Sequence, residues 1–388
     1  MSADAFISGL GMTGLSREAS DSAGVLAAQA VMSSISDAGL KRNDIDGLVI
    51  TRSGAASEKN LGLFLQRSLG MRNLAFLQVL HGEGTSAIQA VQTAVLAVSV
   101  GLARHIVCVF ADAPVVSGQP SHKSFGRVKT SRGIDGLRYS AGLFGGAAVY
   151  ATAARRHMAL YGTKEEHFGA MAISTREWAS LNPQALQRVP LTMAKYMASR
   201  FIAEPFRLYD CALPVNGGIA VVVSAPKYAG SLGQPAVYVH GFGQGHPCLP
   251  DSQGFEPRVN SGAVQAGKTA FSMAGITAKD INICELYDAF SYIPMLALED
   301  YGFCKKGEAG PFVASGATSP GNALPVNTGG GHLSGGYLQG MTPIGEAVIQ
   351  ARGQAGVRQC PKHDLVLVSN EGGCFDHHAC LVLSPHRR

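Results

Sequence analysis

The chain repeats itself. Phe6-Ile7-Ser8-Gly9-Leu10-Gly11 is an apolar run closing on Gly-x-Gly, and Val237-Tyr238-Val239-His240-Gly241-Phe242-Gly243 is a second one. Each reads as a strand entering a tight turn. A helical pattern follows each run. The first spans Asp21 to Ala38, with Val25, Leu26, Ala28, Val31 and Ile35 apolar; the second spans Ala263 to Ala274. Both stop at a glycine, Gly39 and Gly275, a residue suited to the left-handed position past a helix end. Ala38-Gly39-Leu40…Asp44-Ile45-Asp46 then maps onto Ala274-Gly275-Ile276…Asp280-Ile281-Asn282, and strands are expected at 45–50 and 280–284. A third block repeats as turn, buried helix and strand: Leu80 to Ala111, with its strand at 106–110, and Asn327 to Asn370, with its strand at 365–369. Such a duplication restricts the architecture more than any composition does. Alternation of β and α within each half predicts a mostly parallel sheet covered by helices. The halves are expected at residues 1–230 and 231–388, meeting in the Gly/Pro/Ser-bearing stretch Lys227 to Pro235. Residues from about 112 to 190 have no counterpart and read as an insertion.

Composition removes several function classes. At 388 residues and 46% apolar content the chain can bury a large core. Its net charge of +5 is spread without a dense basic run. That argues against nucleic acid and leaves room for an anionic ligand such as coenzyme A. The 8 cysteines form no CxxC pair, so no structural metal site is expected within the chain. Several, including Cys108, Cys284 and Cys380, lie in strand-like runs as reduced, buried thiols. In Asp376-His377-His378 the adjacent histidines of a strand would face opposite ways, so no metal is expected there either. Met1 to Asp4 leads straight into the first strand, from which a cytosolic location is expected. Thr85 to Ala103 lacks charge but carries Ser, Gln and Thr throughout. A buried core helix is expected there and no membrane span.

The late stretch Asn327-Thr328-Gly329-Gly330-Gly331-His332-Leu333-Ser334-Gly335-Gly336-Tyr337 enters a helical pattern from Pro343 to Arg352. Loop N–H groups and a helix N-terminus together favour developing negative charge. This stretch resembles the active-site loop of the thiolase superfamily, and most closely its sterol-carrier-protein-2 thiolase branch, N-T-x-G-G-x-x-S-x-G-H. Asn327, Thr328, Gly330, Gly331, Ser334 and Gly336 match, while the histidine position holds Tyr337. Tyr161-Gly162-Thr163, Asn182-Pro183 and the run Ser199 to Cys211 resemble further segments of that branch, so the resemblance spans nearly the whole chain. It implies an α/β thiolase fold, two duplicated βαβαβ halves in five layers (αβαβα), with the insertion covering the active site. It also implies subunit pairing through central strands of the first half, and a homodimer with Ile106 to Phe110 near the interface is expected.

The chemistry departs from that family. A thiolase needs a nucleophilic cysteine at the N-terminus of the first half's buried helix, where the dipole lowers the thiol pKa. Here the turn is Leu80-His81-Gly82-Glu83-Gly84-Thr85, with His81 at or beside the nucleophile position. The branch motif H-D-C-F reads Tyr287-Asp288-Ala289-Phe290, and Cys374 follows, rather than precedes, the terminal cluster Gly372-Gly373. Two tyrosines at the reacting centre and no thiol suit an acid–base reaction without an acyl-enzyme. The pattern resembles thiolase-like aldolases that cleave steroid side chains as CoA thioesters by retro-aldol chemistry. That resemblance implies catalytic roles for Tyr287 and Tyr337 and a small partner protein with an OB fold and a zinc-binding region. Tyr287 is taken as the base and Tyr337 as the proton donor, with the reverse left open. Gly84, Asn327, Gly330, Gly331, Ser334 and Gly373 are candidates for the substrate or oxyanion pocket. His81 and Glu83 are expected to line it or to be structural, and His332 to orient substrate. The CoA thioester is expected as substrate, with no permanently bound cofactor. Two alternatives stand: a thiolase-type acyltransferase using Cys374, and a non-catalytic lipid-binding subunit.

Overall fold

The computed structural model describes residues 5–18, 21–52, 61–119, 133–247 and 259–388; Met1 to Asp4 and Cys248 lie outside them. In the first half, β1 (Phe6–Met12), α1 (Ala23–Asp37), β2 (Gly47–Thr51), α2 (Leu61–Ser68), β3 (Phe76–Leu80), α3 (Ser86–Ser99) and β4 (His105–Asp112) run in order. The insertion supplies α4 (Gly145–Tyr161), α5 (Glu165–Leu181) and a small hairpin of β5 (Phe201–Ala203) and β6 (Phe206–Arg207), before β7 (Gly217–Ser224) returns to the sheet. The second half follows with β8 (Val237–Gly245), α6 (Ala263–Ala274), β9 (Ile283–Leu286), α7 (Tyr292–Asp300), α8 (Met341–Ala351), β10 (Val366–Gly372) and β11 (His377–Ser384).

The strands lie in the order β3-β2-β4-β7-β1-β8-β11-β10-β9. Their pairing corrects one expectation. Only β3-β2, β2-β4 and β10-β9 are parallel; β4-β7, β7-β1, β1-β8, β8-β11 and β11-β10 are antiparallel. The reason lies in the connections. A turn as short as Gly373 to Asp376 can only join antiparallel neighbours, and the insertion brings β7 back beside β4 from the same end. Among the described residues β9 has no full partner on its outer side, where Val326 makes a single parallel bridge to Cys284.

Strand alternation builds the layers. In β4, Ile106, Cys108 and Phe110 enter one apolar cluster while Val107, Val109 and Ala111 enter another. In β11, Ala379, Leu381 and Leu383 join the first of these clusters, and Cys380 and Val382 face a third. The shared cluster holds α3 and α8, sandwiched between the two halves' strands. Helices α1 and α2 cover the outer face of the first half, and α6 and α7 that of the second. Five layers result. The Gly-x-Gly runs are explained by this packing. A Cβ on Gly9 or Gly11 would lie 2.2 or 2.1 Å from a carbonyl oxygen of α1, and one on Gly241 or Gly243 would lie 2.2 or 2.1 Å from one of α6. Helix backbone rests directly on strand backbone in both halves, which only glycine permits.

Ile106 to Phe110 do not approach an outer face. β4 lies between β2 and β7 and is buried along its whole length; the outer strand of this half is β3. Among the described residues no helix is long and apolar enough to cross a membrane.

Candidate active site

Tyr287 and Tyr337, 50 positions apart, meet. Their hydroxyl oxygens are 2.7 Å apart in a shared hydrogen bond, and their rings are 6.1 Å apart at 77°. Each is set by its own backbone. Tyr287 leaves the end of β9 with its N–H donating to Ser369 O at 2.8 Å, and Tyr337 donates its N–H to Leu213 O at 2.8 Å. Burial raises both phenols. The Tyr337 phenol is pushed up to about 12 and the Tyr287 phenol well above its usual value, and either hydroxyl can donate the bond they share.

The loop that carries Tyr337 is pinned by Asp288. This buried carboxylate accepts the N–H of His332 at 2.7 Å and that of Leu333 at 3.3 Å. A Cβ on Gly331 would lie 2.2 Å from Asp288 Oδ2, so glycine is required for the approach. His332 is buried, donates Nε2–H to Gln339 O, and sets its ring edgewise to both tyrosines at 4.8 and 5.1 Å. It packs the pair rather than opening towards solvent. Residues Gly331–Gly335 form a single π turn, a local widening that recurs at functional sites.

The other candidates fall into distinct places. Gly84 is part of the centre: a Cβ there would stand 2.9 Å from Tyr287 Oη. His81 and Glu83 lie 4.0 Å apart with side chains 57% and 59% exposed. The turn buries Gly84, Thr85 and Ser86 and leaves those two side chains outside. Glu83 contributes backbone instead, accepting Gln339 Nε2 at 2.6 Å. Asn327 has a left-handed φ of 56° and accepts Leu286 N–H at 2.7 Å, splicing the loop to β9. Gly330 packs on Ala179 of α5, and Ser334 accepts Arg176 Nε at 2.8 Å, so both tie the loop to the insertion. Gly373 and Cys374 continue past β10 with φ of 66° and 58°. Burial beside Glu371 pushes the Cys374 thiol up to about 12, the opposite of what a nucleophile requires.

Four contributors escaped the sequence reading: Asp288, Gln339, Glu371 and Tyr150. Asp288 was within reach, since it follows the tyrosine in Tyr287-Asp288-Ala289-Phe290. Beside the loop opens a cleft of about 1160 Å³. Leu213, Pro214 and Leu333 line it, as do Arg17 and Arg200. Leu213 N–H donates to His332 O at 3.0 Å, so the cleft shares backbone with the tyrosine loop.

Residues 252–385 match the family model described as Thiolase C-terminal domain-like. The 17-hydroxy-3-oxo-4-pregnene-20-carboxyl-CoA lyase of Mycobacterium tuberculosis is 36% identical over 370 residues, covering 91% of this chain and 92% of the relative. The steroid side-chain-cleaving aldolase of Thermomonospora curvata is 33% identical over 369 residues, covering 90% of each. The solved structure of the Ltp2-ChsH2(DUF35) aldolase superposes with a TM-score of 0.87 at 32% identity, over 99% of this chain and 98% of that one. The chain belongs to the thiolase superfamily, in the branch that holds these thiolase-like aldolases.

Proposed function

We propose that this protein cleaves a 3-hydroxyacyl-CoA thioester of a steroid side chain by a retro-aldol reaction. The observation that carries the reading is the 2.7 Å contact between the hydroxyls of Tyr287 and Tyr337. One tyrosinate takes the proton of the β-hydroxyl. The Cα–Cβ bond breaks, leaving a ketone or aldehyde and a thioester enolate. The second tyrosine gives its proton to Cα. One proton moves from oxygen to carbon with no net redox, so the CoA thioester enters as substrate and no resident cofactor takes part. Loop backbone N–H groups are suited to hold the enolate oxygen. Tyr337 keeps partial solvent access while Tyr287 is buried, which favours Tyr337 as the base and Tyr287 as the donor to Cα, the reverse of the sequence expectation.

The direct test uses 17-hydroxy-3-oxo-4-pregnene-20-carboxyl-CoA, the compound in the name of one relative. Its hydroxyl carbon is β to the thioester, so cleavage yields a 17-ketone and propionyl-CoA. Formation of both in equal amounts is expected. Acyl transfer to CoA instead would support the acyltransferase, and binding without turnover would support a lipid-binding subunit. The acyltransferase is disfavoured because the turn before α3 holds no cysteine and the Cys374 thiol is pushed upward. Intact mass after mixing with substrate is therefore expected to stay unchanged; a hydroxylamine-labile gain equal to the acyl group would overturn the aldolase mechanism.

The anionic CoA end is suited to the cleft beside Arg17 and Arg200. A homodimer through β3 is also part of this reading. Among the described residues β3 pairs only with β2, and Val79 and Leu77 on it are 55% and 37% exposed. An unpaired apolar edge invites a second copy. Light scattering is expected to give a dimer, and Val79→Lys a monomer; a monomeric parent at micromolar concentration would remove the dimer. An OB-fold, zinc-containing partner is proposed as well, on the resemblance and on a structural relative whose name has two components. The cytosolic location is retained: all 7 described cysteines are unpaired, as expected in a reducing compartment. Residues 1–230 and 231–388 are retained as the two halves.

A further inference from the structure

One histidine pair stands outside the chemistry above. β8 and β11 run antiparallel, with Gln244 opposite Ala379 and Gly245 opposite His378. The next step of that ladder, just past the end of β8, sets His246 opposite His377. Successive side chains of a strand alternate between its faces, so His377 shares a face with Ala379 and not with His378. His378 turns the other way and is buried, its Nε2 2.8 Å from Ser369 Oγ. The two adjacent histidines are thus kept apart, while a histidine of the neighbouring strand joins one of them. His246 Nδ1 and His377 Nδ1 lie 3.0 Å apart, with ring centroids 5.2 Å apart and the rings tilted at 59°. His246 is exposed and His377 half-buried, so solvent reaches the pair.

A chain of amides fixes which nitrogen of His246 carries the proton. Gln92 of α3, buried in the central layer, donates Nε2–H to Gly243 O and to Cys380 O, both at 3.1 Å. Both partners can only accept, so the orientation of that amide is set. Its Oε1 accepts from Gln244 Nε2 at 2.5 Å. Gln244 Oε1 is therefore the acceptor at the far end, and His246 Nε2–H donates to it at 2.8 Å. The neutral His246 ring is left with a lone pair at Nδ1, facing His377. A metal-binding imidazole has this arrangement, its other N–H held by an outer acceptor. The spacing fits as well. Two nitrogens bound to one ion at about 2.0–2.1 Å stand about 2.8–3.4 Å apart for N–metal–N angles of about 90–109°. Among the described residues no group of three or more ligating side chains forms, so water would fill the other positions.

We propose that His246 and His377 form a surface site for a divalent transition-metal ion of the imidazole-binding kind, with copper(II) held more tightly than nickel(II) or zinc(II). Between the two rings alone, His377 Nδ1–H donates to His246 Nδ1. Binding moves that proton to His377 Nε2 through solvent, so both Nδ1 lone pairs reach the ion and no net proton is released. The ion fastens the end of β8 to the start of β11, beside Gly373, whose Cβ position is 3.2 Å from the His377 ring. No part of this depends on the tyrosine mechanism.

The test titrates copper(II) chloride into the full chain at neutral pH and reads electron paramagnetic resonance. One equivalent is expected to bind ahead of any other, with nitrogen splitting from two imidazoles. His246→Ala and His377→Ala should each remove that equivalent. Gln244→Leu keeps both ligands but frees the His246 tautomer, and should weaken binding about 10–100-fold, the usual cost of losing an outer partner. His386→Ala removes an exposed histidine outside the pair and should change nothing. Calorimetry with nickel(II), which does not oxidise thiols, should show the same dependence on both histidines. Copper that binds equally to the parent and to both alanine variants overturns the proposal, as does a spectrum with one imidazole only. Should His377→Ala fail to fold, His246→Ala decides: copper affinity unchanged in that variant overturns it.

Discussion

Tyr337→Phe and Tyr287→Phe should each lower kcat by roughly a hundred- to ten-thousand-fold, the usual contribution of one positioned proton-transfer group. KM should change little, because neither hydroxyl is asked to bind the CoA portion. Stability should change by only about 1 kcal/mol, the net contribution of one buried hydrogen bond, since phenylalanine keeps the ring contacts with His332. Thermal unfolding checks this. The two variants should differ in a second reaction, exchange of the α-hydrogens of propionyl-CoA with D2O, which needs only the enolate half of the mechanism. With Tyr337 as base for the β-hydroxyl and Tyr287 as proton carrier at Cα, Tyr337→Phe should retain exchange while cleavage is lost. Tyr287→Phe should lose both. The opposite pattern would restore the assignment expected from the sequence. Equal retention of cleavage by both variants would sink the mechanism.

How far the sequence spoke for itself varied with the range of the interaction. Helices 23–37 and 263–274 were legible because apolar periodicity and the glycine stops Gly39 and Gly275 are local features. The tyrosines were legible because they occupy named positions of motifs that lie on loops after strands. Strand direction was not. β7 reaches its place only after the insertion, and nothing in its own residues says that it runs against β1 and β4. The Glu371–Tyr150 bond spans 221 positions and reaches into the part of the chain that has no repeat. No spacing argument could find it. For His81 and Glu83 the sequence left two places open. They were expected to line the pocket or to be structural, and the left-handed φ of 52° at Glu83 lets the turn present backbone to the site and side chains to solvent. The same fold is thus read well where the determinant is a short pattern, and poorly where it is the way two distant segments meet.

Gly84→Ala should disable the enzyme without removing any chemical group. The turn holding Gly84 is rigid. Gly82 N–H donates to Ser86 Oγ at 2.8 Å, Ser86 Oγ donates to Glu83 O at 2.6 Å, and Gln339 Nε2 donates to the same carbonyl at 2.6 Å. A methyl group at 84 would meet Glu371 O at 1.9 Å and Tyr287 Cζ and Oη at 2.9 Å each. None of these distances is tolerable, and the carbonyl belongs to a sheet strand that cannot yield. Either the turn withdraws or the Tyr287 ring swings away, and both separate the hydroxyl from its partner on Tyr337. Overpacking of this kind costs about 1–3 kcal/mol of stability, small enough for the fold to survive. The loss in rate should be larger than that implies, because a displacement near 1 Å at a reacting centre can cost about a hundredfold. Gly14→Ala is the control: nothing lies within 4 Å of its Cβ position, and kcat should hold. A Gly84→Ala enzyme that unfolds at nearly the parent temperature with kcat down at least about a hundredfold would place the first-half turn in the active centre. Parental kcat in that variant would mean that the turn is not seated against Tyr287 in the working enzyme.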